Sequence, residues 1–194
     1  NNCVVNTSSS ANIIAQDNLY FNQISGDPSV LSNWSIDGSP EGSHPVNFTT
    51  PSYIFNLSGT ASTTADFLMK GTLNLLSGKF EIKPTTTFTV DKITHSFTTP
   101  ATSANGTISG HFNSNLTVIN NADLYFKNST IDTSSNLQNL TLGSGISNLN
   151  NSLRISPNGV LTVNTGTVNT GGFLTLKSDA TGTAAIGNSS GTIL

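Results

Sequence analysis

The sequence predicts an all-β chain wound into a right-handed parallel β-helix, or solenoid, behind an N-terminal β-rich cap. Three observations predict it. About two residues in five are Ser, Thr or Asn, and charged residues make up only 9%, against about a quarter in ordinary soluble domains. Good helix formers are scarce, whereas Val, Ile, Thr and Phe are plentiful. One stretch repeats itself without gaps at a period of 21 residues, from Leu140 to Leu161. An antiparallel β-sandwich is the alternative, because strand–turn–strand spacing also fits hairpins. A sandwich, however, has no reason to repeat by translation at one coil length.

Composition sets the first bounds. Ser, Thr, Asn and Gly compete poorly inside helices, where polar side chains bond back to the backbone and Gly loses entropy. Disorder of such a polar chain would require high net charge and few apolar residues. Here the net charge is −3, and 35% of the residues are hydrophobic, ten of them Phe. The seven Lys and Arg are spread thinly, with no cluster to neutralise phosphates, which argues against a nucleic-acid partner. No run reaches the roughly 18 apolar residues of a membrane-spanning helix.

The repeat carries the architecture. Residues 140–160 read LTLGSGISNLNNSLRISPNGV and residues 161–181 read LTVNTGTVNTGGFLTLKSDAT. Leu140 matches Leu161, Thr141 matches Thr162, Gly145 matches Gly166, Asn148 matches Asn169 and Leu153 matches Leu174. Each copy holds two short apolar-x-apolar strands, and such alternation sends one set of side chains inward and the other outward. Gly, Asn, Ser and Pro between them turn the chain. A period of this length belongs to solenoid coils.

Looser coils are expected upstream, at Leu73-Asn74-Leu75, Phe80-Glu81-Ile82, Phe88-Thr89-Val90, Leu116-Thr117-Val118 and Leu124-Tyr125-Phe126. The segment Leu116 to Phe126 parallels Leu153 to Val163 as strand, five-residue turn and strand. Residues 66–194 are therefore assigned to the solenoid. Residues 1–65 hold Trp34, Tyr20, Tyr53 and the turn-rich run Asp37 to Pro45, and are assigned to a cap over the open end. Ala184 to Leu194 carries no polar cap, so the stack is expected to continue in a longer precursor.

Two segments carry a resemblance. The first runs from Ser25-Gly26-Asp27-Pro28 through Asn33-Trp34-Ser35 to Gly42-Ser43-His44-Pro45-Val46-Asn47-Phe48-Thr49. The second is Asn158 to Val163 followed by Leu174 to Ala184. Together, about a third of the chain resembles secreted cell-surface, adhesin-like β-solenoid proteins of Bacteroidetes. The resemblance implies export by the type IX secretion system and an extracellular location. It carries over no functional residue, and the C-terminal sorting domain of that pattern is not found in this sequence.

No catalytic, cofactor-binding or metal-ligating residue is assigned. His44, His95 and His111 lack paired-ligand spacing and read as turn or surface residues. A β-helix glycosidase or lyase needs two carboxylates on one face; Asp91 and Asp123 on neighbouring coils are the nearest case. Asp27 and Asp37 could contribute to an oxygen cage for calcium, although Asp-Pro and Asp-Gly are ordinary turn formers. Cys3 is a lone thiol with no basic neighbour in sequence. Asn33, Asn56, Asn115 and Asn139 head Asn-x-Ser/Thr sequons. Thr85-Thr86-Thr87, Thr98-Thr99 and the Thr141/Thr162 pair suggest a hydroxyl face, with a register visible over two coils only.

The expected function is a structural or adhesive segment of a secreted bacterial surface protein, without catalysis. A glycan or other cell-surface ligand and end-to-end self-association are the expected partners. The alternatives are a self-assembling extracellular fibre subunit and a carbohydrate-active β-helix enzyme or glycan-binding module.

Overall fold

In the computed structural model, residues 19–21, 25–26, 28, 30, 33–35, 54–76, 79–95, 106–127, 136–187 and 190–194 are described. Among them there is no α-helix. Strands stack in parallel into a β-solenoid of about six turns. The alternative of an antiparallel sandwich is excluded by this pairing. Antiparallel contacts occur only where Leu19–Phe21 meets Trp34–Ser35 and where Ser178–Asp179 meets Gly182–Thr183, among the described residues.

Each turn contributes to three sides. One side stacks Leu19–Phe21, Ile54–Leu57, residues 72–75 and 92–95, Ala122–Leu124, Ile146–Leu149, Thr167–Asn169 and Thr192–Ile193. A second stacks residues 67–69, 87–90, Asn115–Val118, 139–142, 160–163 and Ala185–Ile186. The third carries Ser25–Gly26, Thr60–Ser62, Lys79–Glu81, Thr107–Ser109 and Phe126–Lys127, then residues 136–137, 153–155 and Leu174–Leu176. Phe67–Leu75 and Thr87–His95 are long enough to run from the second side onto the first. The register shift between Met69 and Thr72 marks that corner. Gly71, at φ 125°, takes a conformation there that a side chain would oppose.

Alternation fills the core. On the second side Phe67, Phe88, Leu116, Leu140 and Leu161 form one inward column, and Met69, Val90, Val118, Leu142 and Val163 form another, all buried. Phe88 stacks on Phe80 of the third side at 4.1 Å between ring centroids and on Phe67 of the preceding turn at 5.8 Å. Each parallel rung therefore buries two large side chains per strand, and the next coil covers them.

The 21-residue repeat is real in space: Leu140 pairs with Leu161 and Thr141 with Thr162, while Asn148 pairs with Asn169 and Leu153 lies beside Leu174. The proposed parallel between Leu116–Phe126 and Leu153–Val163 is not. Leu116 pairs with Leu140, which pairs with Leu161, so its counterpart is Leu161 rather than Leu153. Leu153–Val163 is moreover one continuous strand that bends at Asn158, where φ is 61°. Local resemblance between two strand–turn–strand segments misled because both sides use the same apolar-x-apolar unit. Ile54–Leu57 and Thr60–Ser62, inside the expected cap, pair in parallel with the following coil, so the stack reaches back across residue 65. The turn-rich run Asp37 to Pro45 lies outside the described residues.

Candidate functional site

With the inward columns committed to the core, chemistry is left to the outward ones. On the first side these are ladders of side-chain amides. Asn74 Nδ2 donates to Asn56 Oδ1 at 2.7 Å, and Thr94 Oγ1 donates to Asn74 Oδ1 at 3.2 Å. Further along, Asn148 Nδ2 donates to Asp123 Oδ1 at 2.9 Å, and Asn169 Nδ2 to Asn148 Oδ1 at 2.8 Å. On the second side Asn139 Nδ2 donates to Asn115 Oδ1 at 2.7 Å, and Asn139 Oδ1 accepts from the Val160 amide at 2.9 Å. An amide carries both donor and acceptor, so a stack of Asn can pass the bond from coil to coil. The sequon residues Asn56, Asn115 and Asn139 are thus engaged within the stack.

Beside the Asn115–Asn139 ladder runs a column of Thr. Thr89, Thr117, Thr141 and Thr162 occupy one register position on four successive coils, all half-buried and outward. The sequence reading found only Thr141 and Thr162, because the two earlier coils are longer. A Thr-x-Thr pair occurs at Thr87/Thr89 alone on this side; Asn115, Asn139 and Val160 take the other column. Thr86 is buried and bonds Thr63 and the Lys83 carbonyl, and Thr85 sits in a turn at φ 62°. Thr98 and Thr99 lie outside the described residues.

The suggested carboxylate pair does not form. Asp91 Oδ2 accepts from the Gly71 amide of the preceding coil at 2.8 Å, while Asp123 Oδ1 accepts from Asn148 of the following one. The two point along the axis in opposite directions, and both are spent on holding coils together. Glu81 is buried against Lys83 at 3.0 Å, Lys79 at 3.7 Å and the Ser62 hydroxyl at 3.1 Å. No group of three or more His, Cys, Asp or Glu able to hold a metal ion occurs among the described residues. Cys3, Asp27, Asp37 and His44 lie outside them.

The remaining histidines are structural. His95 turns inward, its Nε2 donating to the Asp123 carbonyl at 2.6 Å and its ring meeting Tyr125 edge-on at 4.5 Å. Burial pushes its pKa below the ordinary 6.5, and the bond to the Asp123 carbonyl opposes that only in part. His111 is buried, with Nδ1 in a 2.7 Å bond to Asn113 Oδ1. Its amide donates to Ser114 Oγ, and that hydroxyl returns to the His111 carbonyl.

These bonds fix a turn whose tip is Phe112, 54% exposed and packed on the His111 ring at 4.3 Å. Phe112 stands at one end of an open groove of about 420 Å³, within the range of small-ligand sites. The groove runs along the solenoid axis over four successive coils. Gln138 contributes from the second coil, Ser156 and Asn158 from the third, and Lys177 and Asp179 from the fourth. Ser156 is 2% exposed, and its hydroxyl has no hydrogen-bond partner among the described residues. Asn158 Nδ2 donates to the Thr181 carbonyl at 2.9 Å, tying the third coil to the fourth. The Thr181 amide and hydroxyl both donate to Asp179 Oδ1, at 2.7 and 2.6 Å, and hold that carboxyl below its usual range. No sequence signal marked this groove. Its residues lie on separate coils and become neighbours only when the coils stack. Comparison with family models, with curated proteins and with solved structures found no match for this chain.

Proposed function

We propose that the chain is a structural and adhesive segment of a secreted bacterial cell-surface protein and that it performs no catalysis. The observation that carries this reading is the outward face of the second side. It offers Thr hydroxyls on four successive coils beside an Asn ladder, with no charge between Thr87 and Thr162 in either column. A rigid, weakly charged surface of hydroxyls suits contact with hydrated, hydroxyl-rich partners more than it suits bond-breaking chemistry. The carboxylates Asp91, Asp123 and Glu81 are taken up by coil-to-coil bonds, which supports the non-catalytic reading. The resemblance of residues 25–49 and 158–184 to adhesin-like surface proteins of Bacteroidetes supports export through the type IX system. Among the described residues no helix is long and apolar enough to cross a membrane.

The test is antibody labelling of intact cells that express the native gene, compared with lysed cells, together with adhesion of beads coated with the purified chain. Labelling of unbroken cells and bead attachment to cells or glycan-coated surfaces are expected. Labelling only after lysis would overturn the reading.

A further inference from the structure

We infer that the axial groove beginning at Phe112 is a binding site for a neutral, linear oligosaccharide of pyranose rings. This deepens the adhesive reading and rests on it, because it names the class of ligand that one surface takes. The argument starts from the shape of a pyranose: a flat C–H face, ringed by hydroxyls that both donate and accept. Such a ligand asks for an exposed aromatic plane and for uncharged or mixed polar groups beside it. The groove provides that set. Phe112 is 54% exposed although it is the largest side chain of its turn, and the His111, Asn113 and Ser114 bonds hold the turn in place. An aromatic side chain fixed by its neighbours binds at low entropic cost.

The polar groups are complementary in kind. Gln138 and Asn158 offer amides from two successive coils, and the next coil offers the Lys177 cation and the Asp179 carboxylate. One positive and one negative charge within a single groove disfavour a polyanion such as a uronate polymer, and favour a ligand whose hydroxyls can serve both. Ser156 also lines the groove, with its own hydroxyl sealed beneath the surface. Coils repeat along the axis at the strand spacing of about 4.8 Å, so contacts recur at regular intervals under an extended chain.

The test is isothermal titration of the intact chain with hexasaccharides of cellulose, xylan, chitin and laminarin, with oligogalacturonate as the charged comparison. Binding of at least one neutral hexasaccharide is expected, and of the galacturonate more weakly or not at all. Phe112→Ala is expected to weaken that binding about tenfold or more, and Gln138→Ala and Asp179→Asn to weaken it as well. Thr165→Ala, exposed at the corner between the second and first sides, serves as the control and leaves affinity unchanged. Circular dichroism and urea midpoints of Phe112→Ala, expected to match the parent because the side chain is exposed, keep a loss of binding from being a loss of fold. No binding to any of the neutral probes would overturn the proposal, as would binding that Phe112→Ala and Asp179→Asn leave intact, or binding of the galacturonate alone. Each of those results is separable from the surface reading, because cell labelling does not depend on the groove.

Discussion

Neighbouring residues on one strand should differ sharply in what they contribute, and Phe88 and Thr89 provide the sharpest contrast. Phe88 is fully buried, sandwiched against Phe80 at 4.1 Å and Phe67 at 5.8 Å. Thr89 points the other way, into the half-exposed hydroxyl column. Truncating a buried Phe to Ala costs about 3–5 kcal/mol, from lost transfer free energy and the cavity left behind. The lost ring pairs place Phe88→Ala in the upper half of that range, about 4 kcal/mol. Thr89→Ala removes no core volume and should cost at most about 1 kcal/mol through strand preference. Urea unfolding followed by far-ultraviolet circular dichroism gives the midpoints. Because a stacked chain can unfold coil by coil, amide hydrogen exchange is the companion measurement. Protection should fall first in residues 67–75, 87–95 and 115–118, and last in residues 160–169. A Phe88→Ala cost below about 1 kcal/mol, or equal costs for the two variants, would refute the assignment of inward and outward columns.

Three further perturbations probe the coil-to-coil contacts. A Cβ on Gly166 would lie 2.4 Å from the Gly145 carbonyl oxygen, so Gly166→Ala should destabilise by about 1–3 kcal/mol in urea titration, as overpacking does. Asn148→Asp would set a second carboxylate against Asp123 in place of a 2.9 Å hydrogen bond. It should cost about 1–2 kcal/mol at neutral pH, and added salt or protonation below the carboxylate range should restore most of it. His95 is held below its ordinary pKa of 6.5 by burial, so the unfolded chain takes up the proton first. Its contribution is therefore whole above pH 6.5 and is lost as pH falls through the lowered folded value. Midpoints measured across that interval should decline less in His95→Gln than in the parent.

How much of this was legible beforehand depended on spacing. The coils from Leu140 to Thr181 could be read because equal lengths put Leu over Leu and Asn over Asn. The Thr column could be read over only half its height. Thr89 and Thr117 are separated by a longer loop, and a fixed-period comparison never aligns them. The rungs of the Asn ladders before Asn148 were invisible for a related reason. Asn56, Asn74 and Asn115 look like turn formers in a chain rich in Asn, and only stacking gives them their partners. The groove lay furthest out of reach. Phe112, Ser156 and Asp179 belong to different coils, and no local motif links an exposed Phe to a carboxylate more than sixty positions away.

The unequal coils have a consequence for how such a chain can change over time. Hydrogen-bonded partners on adjacent coils are 18 residues apart at Asn56 and Asn74, yet 28 apart at Thr87 and Asn115 and 21 apart at Asn148 and Asn169. Register survives all of these because each strand is located by its own pair of inward side chains, not by the distance travelled since the last one. Lengthening a connection costs little, about 0.6 kcal/mol for each doubling. Insertions and deletions at the corners are therefore nearly neutral for the stack, while a one-residue slip inside a strand would turn its core side chains outward. A molecule with this grammar can lose or acquire surface segments by simple copying errors and keep its frame. For the same reason it could be used as a scaffold on which peptide segments are displayed at chosen heights along one axis.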